Sequence, residues 1–295
     1  MSGWNITSWE DAMRGNCRLL TPLIIATLLG LSIGANADLP ERESREYLRV
    51  CADSNNLPFT NRRGEGFENR IAELIAEELD VPLRYVYAPQ VMGFIRDTLD
   101  ARLCDLVMGV AAGYGFVQNT IPYYRSVYAL VVPETSGLDV NSLDAPQLAG
   151  RRIGVVFETP PTVPLRRASA RVRSYALQTD TRVRRPVKDA VKDVANGVTD
   201  AAVLWGPIAG HYAARQQPPL KIIPLVDDTT EAPLSYRITM GVRHGESRWR
   251  DWLNDFIERR QADINAILID YEVPLLDEHG RLIDPKAISE EAARD

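Results

Sequence analysis

The chain has 295 residues, 45% hydrophobic and 25% charged, with a formal net charge of −6. That is an ordinary globular composition, long enough for one large or two smaller domains. It has no lysine/arginine block of the kind nucleic acid requires. Its three histidines, His211, His244 and His279, lack neighbours at metal-site spacing, which argues against a dedicated metal centre.

At the N-terminus, Arg14 and Arg18 precede an apolar run of about fifteen residues, Leu19 to Ile33, followed by Ala-Asn-Ala at 35–37. The run is shorter than the roughly twenty residues of a spanning helix. Basic, apolar and small-x-small segments in this order predict a secretory signal peptide over 1–37, cut before Asp38 for export to the periplasm. An uncleaved membrane anchor is the competing reading; cleavage would leave no membrane span. The segment takes away Arg14, Arg18, Glu10 and Asp11, so the net charge stays at −6. Cys17 goes with it. Cys51 and Cys104 remain, and an oxidising compartment permits a disulfide between them. Such a bond would be worth on the order of 4 kcal/mol. Two buried thiols on neighbouring strands are the alternative.

After a linker over 38–43, Tyr47–Ala52 reads as a short buried strand. Phe67–Leu79 reads as a helix, with Phe67, Ile71, Leu74, Ile75 and Leu79 at helical spacing and Glu73, Glu77 and Glu78 on the wet side. "VPLRYVYA" predicts a second strand, "GFIRDTLDARL" a second helix, "CDLVMGVA" a third strand and Tyr128–Pro133 a further one. This alternation argues for a parallel sheet with helical crossovers. The pattern then restarts. "RRIGVVF" is a strand, Thr162–Ala170 a helix, "RVRRPVKDAVKDVANG" leads through another helix, and "TDAAVLW" and "LKIIPLV" are strands. From Ser235 a strand leads into a long amphipathic helical region. There Trp249, Trp252, Leu253, Phe256 and Ile257 are spaced for packing. The tail after Asp277 is polar.

These residues carry a resemblance. "LRVCADSNNLPF", "GFENRIAELIAEEL", "LCDLVMGV", "IPYYRSVYALVVP", "LAGRRIGVVFETPPT" and "NGVTDAAVLWGPIAGHYA" resemble, in order, segments of type 2 periplasmic solute-binding proteins of the amino-acid-binding branch. The resemblance implies an α/β fold of two lobes joined by a hinge. Lobe 1 takes 44–134 and 229–295 and lobe 2 takes 135–228, with crossings near Pro133–Gly137 and Asp227–Leu234. Within that family the chain is similar to a subgroup associated with methanol dehydrogenase and related quinoprotein alcohol dehydrogenases; "YEVPLLD" adds to this match. The resemblance implies a partner, the dehydrogenase and its c-type cytochrome, and an accessory or maturation role in place of transport.

Amino-acid receptors of the family hold the α-carboxylate with a lobe-1 arginine and the α-ammonium with a lobe-2 aspartate. Alignment without gaps puts Gly113 and Trp205 at those places. A site lacking both charges would leave two ionic groups desolvated and unpaired, at a cost of several kcal/mol. The candidate contacts are then Asp53, Asn55 and Phe59 after the first strand, Ala111, Tyr114 and Tyr124 on the rest of lobe 1, and Glu158, Thr159 and Trp205 on lobe 2. They suit a small neutral ligand or a protein segment. Asp53 and Asn55 equally fit a turn, and Trp205 equally fits a plug. Gly64 and Gly66 serve backbone turns, since "GEG" lacks the lysine and spacing of a phosphate loop. No cofactor motif, Gly-x-Ser-x-Gly or Cys–His signature supports an enzyme. A receptor for a small non-amino-acid solute is the second function expected.

Overall fold

In the computed structural model, which describes residues 46–177 and 179–286, the chain opens with β1 (Leu48–Ala52). The expected signal peptide and linker lie outside the described residues. β1 is apolar and almost wholly buried, as a parallel strand covered on both faces must be. A small hairpin follows, β2 (Asn55–Asn56) and β3 (Thr60–Asn61), and then α1 (Phe67–Leu79). Phe67, Ile71, Ile75 and Leu79 bury one stripe of α1. Its start needs glycine: a Cβ on Gly66 would lie 1.9 Å from the Phe59 carbonyl oxygen. Asn69 Oδ1 accepts the Gly66 N–H at 3.1 Å and the Asn61 N–H at 3.0 Å, tying hairpin to helix. Asp80, at φ 53°, ends the helix in the left-handed region.

β4 (Leu83–Tyr87) comes next. The helix expected over "GFIRDTLDARL" shrinks to a π-helical turn, Arg96–Asp100. Gly93 (φ 90°) and Arg102 (φ 58°) bracket it, and a right-handed helix continues through neither. β5 (Leu106–Ala111) follows. The strand expected at Tyr128–Pro133 is the end of a single 16-residue strand, β6 (Gln118–Pro133). The segment expected as the second lobe adds β7 (Arg152–Val156), α2 (Thr162–Arg167), β8 (Arg171–Tyr175), α3 (Pro186–Ala195), β9 (Ala201–Trp205), α4 (Gly206–Ala213) and β10 (Leu220–Pro224). β8 was not expected. The chain returns through β11 (Ser235–Val242) to α5 (Ser247–Arg259) and α6 (Gln261–Asp270).

The strands form one curled sheet in the order β4-β1-β5-β11-β6-β9-β7-β8, with β10 also paired to β6. β6 pairs with β11 from Gln118 to Val127, then with β9 from Tyr128 and β10 from Ala129. This exchange of partners falls ahead of the Pro133–Gly137 crossing expected from the sequence. One hydrophobic core gathers Phe67, Met108, Tyr123, Tyr124, Trp249 and Phe256. Two others pack on the second half, around Leu130, Ile153 and Val203 and around Val131, Val191 and Leu204. A fourth, small cluster holds Ile95, Leu99, Val107, Val110 and Val117 around a disulfide between Cys51 and Cys104, whose Cα atoms are 5.5 Å apart.

Candidate functional site

The C-terminal ends of β1, β5, β7 and β9 carry the residues that matter, as parallel sheets dictate. Asp53, just past β1, is fully buried. Its Oδ1 accepts the Asn55 N–H at 2.9 Å and the Thr181 hydroxyl at 2.5 Å, and its Oδ2 accepts the Gln90 N–H at 3.1 Å. Asn55 Nδ2 in turn donates to the Thr181 carbonyl at 2.6 Å. Tyr212 on α4 donates its hydroxyl to the Leu57 carbonyl at 3.0 Å. These bonds join the lip after β1 to the second lobe. Asp53 therefore both caps a turn in its own lobe and fastens the other.

Behind this latch lies a cavity of about 200 Å³, lined by Phe59, Tyr128, Thr159, Leu177, Trp205 and Tyr212 among others. Of the expected contacts, Phe59, Thr159 and Trp205 meet here. Trp205 stands opposite Tyr128 in the β6–β9 register, their rings 5.5 Å apart and edge-on, and 5.8 Å from the Tyr236 ring. Though on the second lobe's strand, the indole packs against the first lobe's core. Burial, then the nearby Glu68, raise the Tyr124 hydroxyl's pKa, partly offset by Trp205. Burial raises the Tyr128 hydroxyl's pKa, partly offset by a hydrogen bond to Thr159.

Several expected contacts lie elsewhere. Tyr124 is only 5% exposed and wedged edge-on between Phe67 and Tyr123, so it reaches the site only through Trp205. Glu158 is exposed, adopts φ 60° ahead of α2, and is absent from the cavity wall. Ala111 and Tyr114 line a separate groove of about 630 Å³ on the first lobe, with Val91, Met92, Phe94 and Phe116. Met92 is 85% exposed and Phe116 67%, and Phe116 sits 5.3 Å from the Tyr114 ring. Gly113, where a clamp arginine was sought, has φ 86° and open space around its α-carbon. A side chain there would be strained.

Sequence reasoning missed Thr181, Tyr128 and Tyr212. Tyr212 carried a signal, since Trp205, Ile208 and Tyr212 recur at helical spacing and line the same cavity. Thr181 carried none. One further group lies beneath the site. Glu68, buried behind Gly109, has its carboxyl pushed up to about 8 by burial, against a weaker opposing hydrogen bond from Tyr123. Among the described residues no group of histidine, cysteine or acidic side chains could hold a metal ion, and no helix is long and apolar enough to cross a membrane.

Two lobes on one curled sheet, with strand ends facing an interlobe cavity, define a type 2 periplasmic solute-binding protein. No family model matches the sequence. Known proteins narrow the class. A MoxJ protein of Methylorubrum extorquens is 30% identical over 78% of this chain and 81% of its own. The crystal structure of the periplasmic binding protein XoxJ from Methylobacterium extorquens AM1 shares 40% identity, with a TM-score of 0.66 over 78% of this chain and all of that one. An ancestral cationic amino acid solute-binding protein, 19% identical, shares the fold, with a TM-score of 0.64 over 79% of this chain and 98% of that one. The chain belongs to the MoxJ family of periplasmic binding proteins.

Proposed function

We propose that this protein is a periplasmic accessory factor of a quinoprotein, methanol-type alcohol dehydrogenase, and that it engages a segment of the dehydrogenase instead of delivering a solute to a transporter. The observation that carries this reading is the size of the interlobe cavity. At about 200 Å³ it falls below the roughly 300–1,000 Å³ of small-molecule pockets. Trp205 fills the place of a charge clamp. Larger apolar surface lies outside, in the groove around Met92 and Phe116, and exposed apolar patches of this kind suit protein partners. The kinship with MoxJ and XoxJ proteins supports the methanol-oxidation context, and the Cys51–Cys104 disulfide fits an oxidising compartment. Export depends on cleavage before Asp38, which N-terminal sequencing of the periplasmic protein checks.

The direct test is a pull-down from periplasm together with deletion of the gene. The expected result is retention of the dehydrogenase, with or without its c-type cytochrome, and reduced alcohol oxidation in the deletion strain. Failure of both would sink the proposal. A second reading, a receptor for a small non-amino-acid solute, is favoured by Phe59, Thr159 and Trp205 enclosing one cavity. It predicts a hit in a thermal-shift solute panel, since a ligand at 100 times its dissociation constant stabilises by about 2.7 kcal/mol.

A further inference from the structure

On the far side of the Tyr212–Leu57 hydrogen bond lies a second interlobe cavity, of about 580 Å³. It differs from the first in size and in charge. Four cationic side chains, Arg63, Arg185, Lys188 and Arg215, line it with a single carboxylate, Glu65, on a chain whose net charge is −6. That carboxylate is already engaged: it pairs with Arg63 at 2.6 Å and accepts the Asn61 side-chain N–H at 2.7 Å. Among the described residues, no ion pair joins Arg185, Lys188 or Arg215 to a carboxylate. Burial holds the Lys188 ammonium below its usual pKa, and Arg185 and Lys192 add like-charge repulsion that Asp189 offsets only in part.

His211 also lines this cavity. It is only 5% exposed, stacked 5.9 Å from the Tyr271 ring and edge-on to Tyr212. Its Nδ1 has no hydrogen-bond partner. Burial, then Arg215 and Lys188, push its pKa down to about 4, so the ring is neutral at pH 7 and one of its nitrogens carries a proton to donate. That nitrogen is itself shut off from the cavity, so His211 contributes a neutral wall beside crowded cations, whose mutual repulsion an anion would relieve. Guanidinium groups hold carboxylate and phosphate oxygens in a fixed fork.

We propose that this cavity binds a small multivalent oxyanion, a di- or tricarboxylate or a phosphate, between Arg185, Lys188 and Arg215, with the neutral His211 ring in its wall. The groups that hold the anion come from the 135–228 segment, and Leu57, Arg63, Glu65 and Tyr271 of the rest of the chain form the facing wall. The inference stands apart from the dehydrogenase reading, since it concerns a different cavity and a different chemistry.

The test is calorimetric titration of the purified protein with citrate and with inorganic phosphate, against sodium chloride at matched ionic strength. Saturable binding of either oxyanion, weakened at least tenfold in Lys188→Gln and in Arg215→Gln but unchanged in the exposed charge variant Arg171→Gln, supports the site. Citrate binding more tightly than phosphate assigns the guest to carboxylates, and the reverse order to phosphates. Heats no larger than those of chloride, or affinity that both charge variants leave intact, overturn it. Circular dichroism of each variant separates lost binding from lost folding.

Discussion

The interlobe cavity and the first-lobe groove are both walled by aromatic side chains, yet they stand in opposite relation to solvent. The cavity holds about 200 Å³ and is spanned by the bonds of Thr181 to Asp53 and of Tyr212 to Leu57. The groove holds about 630 Å³ and leaves Met92 and Phe116 mostly in water. The difference has a local cause. The cavity has the Trp205 indole in its wall, packed on the Tyr128 and Tyr236 rings. Along one side of the groove, the Arg96–Asp100 helix is held to five residues, between Gly93 at φ 90° and Arg102 at φ 58°. A receptor fold thus keeps its architecture while its larger apolar surface lies outside its cleft.

Four perturbations break or sharpen this contrast, from the largest expected effect to the smallest. Replacing Cys51 and Cys104 together with alanine opens a loop 53 residues long beneath the groove. It should cost about 4 kcal/mol in denaturant unfolding. Hydrogen exchange should rise first in Val107 and Val110 under the groove and not around Trp205; a uniform rise would dissolve the distinction between the two regions.

Glu68 comes second. Its pKa is raised from 4.5 to about 8 by burial, so between those values the unfolded chain releases a proton that the folded chain keeps. Stability is therefore full below pH 4.5 and declines as pH rises toward 8, by on the order of 4 kcal/mol. Glu68→Gln should flatten that decline, which urea midpoints at pH 5 and pH 8 would reveal.

Trp205→Ala should cost about 2–3 kcal/mol, because the indole is packed on the first lobe's core and its removal leaves a cavity. If the indole is a plug, small apolar probes should bind the variant more tightly than the parent. Weaker probe binding would mark Trp205 as a ligand contact. The smallest effect on stability, within about 0.5 kcal/mol, is expected for Phe116→Glu, an exposed position. The same change should reduce dehydrogenase capture at least tenfold, read by the pull-down. Unaltered capture would remove the groove from the proposed interface.

Much of this was legible in the residues, for reasons that differ by element. α1 could be read to its ends because Phe67, Ile71, Ile75 and Leu79 keep helical period and Gly66 marks its start. β8 escaped because it lies at the edge of the sheet with Arg171, Arg173 and Ser174 exposed, so no apolar run announced it. The break in the second crossover was hidden in backbone angles, since Arg102 is not a residue that advertises a left-handed turn. Phe59, Thr159 and Trp205, expected on one cleft, line one cavity because strand ends face it in this fold. Thr181 lies 128 positions from the Asp53 it bonds, in a segment without periodicity, and only the packed structure brings the two together.

The strand β6 has a mechanical consequence. At the exchange of partners the Tyr128 N–H donates to the Leu234 carbonyl at 2.8 Å, while the Tyr128 carbonyl accepts the Leu225 N–H at 2.9 Å. The passage between lobes is therefore a beam pinned on both sides by returning chain, in contrast to a pair of slack threads. Opening must twist a continuous ladder, and the restoring torque is spread along its hydrogen bonds. Any twist at this point is resisted by bonds on both edges of one strand.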